Sequence, residues 1–219
     1  MKKAHNRTYY VSAGVIISAL LIASMYVYVI TPRGEPLLIQ KSDDIFLVVQ
    51  DGDIICRLGD RLWSQFFSDL SAIDKRYSHI GIVHRDDDLI TVINAEGDTA
   101  RGKDFVHEVP FDDFLKAARA VGVYRMENVE GSRISNAALE YLGIPFDWQF
   151  DMNDESKLYC TELLYVVLKR VAPELNLNTV YLKELGKEII PPESVSNSDY
   201  FVEIYFNGSG QYASPERYN

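Results

Sequence analysis

Cysteine is scarce in this chain: 219 residues hold two, Cys56 and Cys160. Two thiols close at most one internal disulfide, which excludes a cystine-stapled scaffold, and there is no pair of CxxC knuckles for a structural zinc. Histidine is nearly as rare, with four residues. Basic side chains are in deficit: 22 Lys and Arg stand against 32 Asp and Glu, a net charge of -10, and the pI is near 4.9. A phosphate backbone needs a basic face, so nucleic acid is excluded as a main partner. Low-complexity tracts and internal repeats are absent. With 47% hydrophobic and 25% charged residues, the composition is that of one globular domain with a small appendage.

Charge is missing altogether from Tyr9 to Ile30, which holds no Asp, Glu, Lys, Arg, His, Asn or Gln. As a helix, this stretch covers about 33 Å, enough for a bilayer core. Tyr9, Tyr10, Tyr26 and Tyr28 lie near its ends, as interfacial aromatics do, and Lys2, Lys3 and Arg7 precede it. The expectation is a single-pass signal-anchor in the inner (cytoplasmic) membrane, with residues 1–8 in the cytoplasm and everything after Thr31 facing the periplasm or cell exterior. The alternative is a cleaved signal peptide, but the apolar run is longer than a usual signal core and no Ala-x-Ala site follows it.

Residues 31–45, with Pro32, Gly34 and Pro36, read as a linker. A globular unit is expected over 46–206, followed by a flexible tail over 207–219. Strands are expected at Ile54–Cys56, Tyr77–His84, Leu89–Ala95, Phe105–Val109, Val121–Met126 and Tyr200–Phe206, from their alternation and β-branched content. Helical spacing is expected over 60–71, Phe111–Ala120, Ser132–Leu142 and Tyr159–Val171. Asp86, Asp87 and Asp88 lie between two strands, which makes them a hairpin turn rather than a calcium loop. Strands and helices mix without strict β-α-β alternation, so the fold class is α+β.

Two residues stand out chemically. Cys160 opens a helix, whose free N–H groups and dipole favour a thiolate and can hold an oxyanion. His79 lies within a strand, and Gly81 on the same strand face leaves room beside it. Across the hairpin, His79 and Glu96 fall nearly opposite one another, so Glu96 is the expected orienting partner of the imidazole and Asn94 the substitute on the same face. Glu162, in the first helical turn, is equally well explained by the helix dipole. Cys56 reads as a packed apolar residue. A helix-N-terminal Cys, a strand His and a polar residue on the next strand make a cysteine-hydrolase arrangement.

Five segments carry a resemblance, in order: Gly52-Asp53-Ile54-Ile55, Tyr77-Ser78-His79-Ile80-Gly81-Ile82, Asn94-Ala95-Glu96-Gly97, Tyr141-Leu142-Gly143-Ile144-Pro145-Phe146-Asp147 and Tyr159-Cys160-Thr161-Glu162-Leu163. Together they resemble the circularly permuted, papain-like NlpC/P60 cysteine hydrolases of the YiiX/YebB type, which also resemble lecithin:retinol acyltransferase. The resemblance covers about residues 48–205. It implies a permuted papain-like fold, Cys160 as nucleophile, His79 as base and Glu96 as third member. It implies no metal or organic cofactor, and as substrates peptidoglycan peptide amides or lipid amides and esters. Phe146 stands where the family has Tyr. Tyr77 or Tyr159 is the candidate for assisting an oxyanion in its place. A non-catalytic peptide- or lipid-binding module and a thiol acyltransferase are the alternatives.

Overall fold

A computed structural model describes residues 18–28, 31, 35–40, 43–60, 62–98, 102–116, 118–183 and 185–208. Its centre is a six-stranded antiparallel sheet. The strands are β1 (Ile54–Leu58), β2 (His79–Asp86), β3 (Leu89–Asp98), β4 (Lys103–Pro110), β5 (Ala120–Arg125) and, last in the chain, β8 (Val202–Gly208), in the order β4-β3-β2-β1-β5-β8. A small hairpin, β6 (Val180–Leu182) and β7 (Lys187–Ile189), stands apart. Helices α1 (Asp44–Val48), α2 (Leu62–Asp69), α3 (Phe111–Leu115), α4 (Gly131–Leu139), α5 (Cys160–Val171) and α6 (Glu193–Ser196) complete the unit.

The sheet is buried on both faces, and alternation along each strand divides the core in two. Ile54, Cys56, Ile80, Ile82, Ile93 and Tyr124 meet α4 and α5 on one face. Ile55, Val83, Val92, Val121 and Val123 meet Ile45 of α1 and Phe111, Phe114 and Leu115 of α3 on the other. This two-sided burial explains why β5 reads Ala-Val-Gly-Val-Tyr, with no polar residue before Arg125.

The β2–β3 turn is tighter than a three-acid loop. Asp86 pairs with Leu89, leaving Asp87 and Asp88 as a two-residue connection, and Asp87 takes the positive φ (50°) that such turns demand. Ile82 pairs with Ile93. Carried three residues further, that register sets His79 opposite Glu96.

Three departures from the expected elements have physical reasons. The helix after β4 ends at Leu115 instead of Ala120, because the chain must run straight into β5. β8 continues to Gly208, since its pairing with β5 extends to Ala120. The 180–196 segment carries a hairpin and a helical turn whose residues show too little periodicity to announce them. Half of the expected membrane span, 9–30, lies outside the described residues. Residues 18–28 are helical, with Leu20, Leu21, Ile22 and Met25 exposed. Among the described residues no helix is long and apolar enough to cross a membrane.

Candidate active site

Cys160 is the first residue of α5, and the chain around it is clamped. Thr161 Oγ1 donates to the carbonyl of Ile190 (2.6 Å), and the Ile190 N–H donates to Tyr159 Oη (3.0 Å). The residues on either side of the thiol are thus tied to one point. The side chain of Glu162 reaches back to accept from the Tyr159 N–H (3.3 Å), capping the helix start. The thiol is free and partly exposed. The backbone N–H groups of Ile80, the residue after His79, and of Thr161 and Cys160 itself favour its charged form. Cys160 therefore lies toward the first residues of β2, the strand that His79 begins.

His79 begins β2 and leans onto Phe114, ring centroids 5.6 Å apart and planes 28° from parallel. The room expected at Gly81 exists but is filled: a Cβ there would meet Val92 Cγ1 at 2.2 Å and Phe114 Cε2 at 3.2 Å. Gly81 thus admits the ring on which His79 stacks. His79 Nε2 lies 3.0 Å from Asn94 Oδ1. Asn94 is buried and donates from Nδ2 to the His107 carbonyl (3.4 Å), which sets its amide so that Oδ1 faces the imidazole. Nε2 then carries the hydrogen, and Nδ1 is the nitrogen left to take a proton.

Glu96 makes no hydrogen bond to His79, although the register brings it opposite. Its carboxylate is turned to Arg57 Nη2 (3.6 Å) and His107 Nε2 (3.5 Å). The bond expected from Glu96 comes from Asn94, two residues back on the same strand face. Tyr77 and Tyr159 are both occupied: Tyr77 Oη is buried against Tyr124 Oη (2.9 Å) and Tyr159 Oη is held by Ile190.

A profile of the permuted papain-like amidase enzymes, the YaeF/YiiX C92 family, matches residues 48–205. The chain belongs to this family. Among solved structures it is similar to the metalloprotein yiiX of Escherichia coli O157:H7, with a TM-score of 0.62 at 19% identity, covering 74% of this chain and 99% of that one. At that identity the likeness shows the fold. Among curated proteins it is 27% identical over 101 residues to Protein OPG091 of Variola virus and to that of Vaccinia virus (strain Western Reserve), which is 46% of this chain and 56% of each of them. The chain thus spans about half the length of these relatives. The yiiX protein is described as a metalloprotein, but among the described residues no three His, Cys, Asp or Glu side chains gather to hold a metal ion.

The electrostatics of this family member run against a resting ion pair. Burial pushes the Cys160 thiol up to about 11, outweighing the three N–H groups and the Arg57 cation that pull it down. The helix start alone had suggested a lowered value. Burial, then the Arg57 charge, holds the His79 imidazole down at about 4, against the pull of Glu96 and Asn94. At neutral pH the pair is thiol and uncharged imidazole. Glu96 is held down at about 2, first by its contact with His107, and His107 is raised in return. His107 lies half-buried at the edge of the site, because β4 pairs Phe105 with Glu96 and Asn94 with His107. Arg57 was missed altogether. Only the pairing of β1 with β2 brings it beside His79.

Proposed function

We propose that this protein is a thiol hydrolase that cleaves an amide or ester through a thioacyl-enzyme. Cys160 is the nucleophile. Nδ1 of His79 takes the thiol proton as sulfur attacks the carbonyl carbon, then delivers it to the leaving amine or alcohol. Water, deprotonated by the same nitrogen, attacks the thioester, the carbon–sulfur bond breaks, and the acid leaves. Asn94 holds the imidazole in the tautomer that accepts at Nδ1, and Glu96 serves as the third polar member from one residue pair further along. The observation that carries the reading is the His79–Asn94 bond at 3.0 Å, and a helix-N-terminal thiol whose charged form the Ile80 N–H favours supports it. Family membership supports the amidase class.

The substrates are peptidoglycan peptide amides or lipid-linked amides and esters, met at the membrane that holds the chain. An apolar helical segment at 18–28, exposed on every side, supports a membrane tether, because apolar residues all round a helix need lipid or protein about them. The catalytic domain then faces the periplasm or cell exterior. One observation favours a second reading, a binding module without catalysis: the thiol is pushed up and the imidazole down, so neither is charged at rest. Cys160→Ala decides between them. Hydrolysis of N-acyl amides and muropeptides by wild type, lost in the variant, supports the hydrolase. Equal turnover by both proteins sinks it, and binding without turnover in either favours the module.

A further inference from the structure

Arg57 lies within the site, and no part of the proposed reaction uses it. It is the direct cross-strand partner of His79. Its guanidinium donates through Nη1 to the carbonyls of Phe114 (2.7 Å) and Lys116 (3.4 Å), and its Cζ stands 4.7 Å from the centroid of the Phe114 ring. That is the ring on which His79 stacks. Glu96 is 3.6 Å away, outside hydrogen-bond reach, so the cation's nearby carboxylate is held at arm's length. Only 18% of the side chain is exposed, a costly setting for a charge that spends its hydrogen bonds on neutral carbonyls. A group needed only to fill space here would be served better by an apolar residue.

The groups that face His79 are Arg57 from β1, Asn94 and Glu96 from β3, His107 from β4 and Phe114 from α3. Of the two fixed charges, Glu96 favours the imidazolium and Arg57 opposes it. Arg57 also acts on Cys160, where a cation favours the charged sulfur. We propose that Arg57 is a positioning residue for the reacting pair: its cation, fixed against Phe114 and two carbonyls, keeps His79 an uncharged base and favours negative charge on the Cys160 sulfur. Arg57 itself makes and breaks no bond. It sets where the proton rests between the two groups that do, and it favours the thiolate leaving group when the thioester is hydrolysed.

The inference rests on Cys160 and His79 being the reacting pair, but its test needs no substrate, so the two fail separately. Arg57→Gln and Arg57→Lys are compared with wild type by NMR titration of the His79 ring and by the iodoacetamide alkylation rate of Cys160, followed by mass spectrometry of its peptide. In Arg57→Gln the His79 midpoint rises by about one pH unit, and alkylation at pH 7.5 slows about tenfold. Arg57→Lys keeps the charge and behaves as wild type in both measurements. A merely structural arginine would change the melting temperature and leave both unmoved. A folded Arg57→Gln with an unshifted His79 and an unslowed thiol overturns the proposal. If Arg57→Gln fails to fold, Arg57→Lys decides, since a folded lysine variant with a displaced His79 midpoint overturns it equally.

Discussion

Two arginines flank the same sheet and are bonded in opposite ways. Arg76 is saturated: Nε and Nη2 donate to Asp74 at 2.8–3.0 Å, Nη1 to Glu203 at 2.9 Å, and Nη2 also to Tyr124 Oη at 3.1 Å. Tyr124 in turn donates to Glu203 (2.7 Å) and meets Tyr77, whose hydroxyl lies over Gly122 where a Cβ would come within 2.1 Å. Asp74 itself holds the Arg76 N–H (3.0 Å). Arg57 instead has a carboxylate at 3.6 Å and spends its donors on two carbonyls. Burial is the first influence on both, yet the acid partners raise Arg76 well above its ordinary value while Arg57 is lowered. A charge fully met by its partners is a strut that locks β5 and β8 to the 74–77 segment. A charge met at arm's length keeps a field for its neighbours, here His79 and Cys160.

If that division holds, damage to the two clusters separates activity from stability. The largest effect belongs to the open cluster: Cys160→Ala lowers kcat by about 10⁴-fold or more and shifts the melting temperature little, because a partly exposed thiol is removed. Next comes the closed cluster. Arg76→Met leaves the buried Asp74 and the half-buried Glu203 without a counter-charge and costs about 3–5 kcal/mol by urea denaturation. An Arg76→Met protein as stable as wild type would dissolve the comparison. Within the open cluster, Asn94→Ala frees the imidazole and costs about 100-fold in kcat/KM. Glu96→Gln, which touches His79 only through the field, costs less than about tenfold. The reverse ranking would make Glu96 the orienting group and Asn94 a bystander.

Much of this arrangement was legible in the sequence, and the misses share a cause. Alternation gave the strands, the start of an apolar helix placed Cys160, and counting across the turn put Glu96 opposite His79. What counting cannot give is where a side chain turns once there. Glu96 is drawn to His107 on the adjacent β4 and to Arg57 on β1, two strands away, and both placements depend on the order β4-β3-β2-β1. Local pattern carries no strand order. The same blindness hid Arg57, which is one residue in an apolar strand until β1 is known to lie beside β2. The thiol's value failed for a related reason: a helix N-terminus is readable from sequence, whereas the burial that outweighs it is a property of the packed site.

A pH-dependent effect on stability tests a carboxyl that belongs to neither cluster. Glu162 is buried two residues after Cys160, with Oε1 unpaired and Oε2 accepting from Tyr159. Burial pushes it up to about 8, and the nearby acids Asp147, Asp151 and Glu155 push the same way. Its folded value lies above its unfolded value near 4.5. Between those limits the folded chain binds the extra proton, so stability falls as pH rises from about 4.5 to 8. Glu162→Gln cannot ionise and still presents an oxygen to the Tyr159 N–H. It matches wild type at pH 4 and exceeds it by on the order of 2 kcal/mol at pH 8. Denaturation curves across that window check this. A difference that stays constant with pH means the carboxyl is already charged in the folded protein, and that Glu162 is held as an anion by the helix start rather than kept neutral by burial.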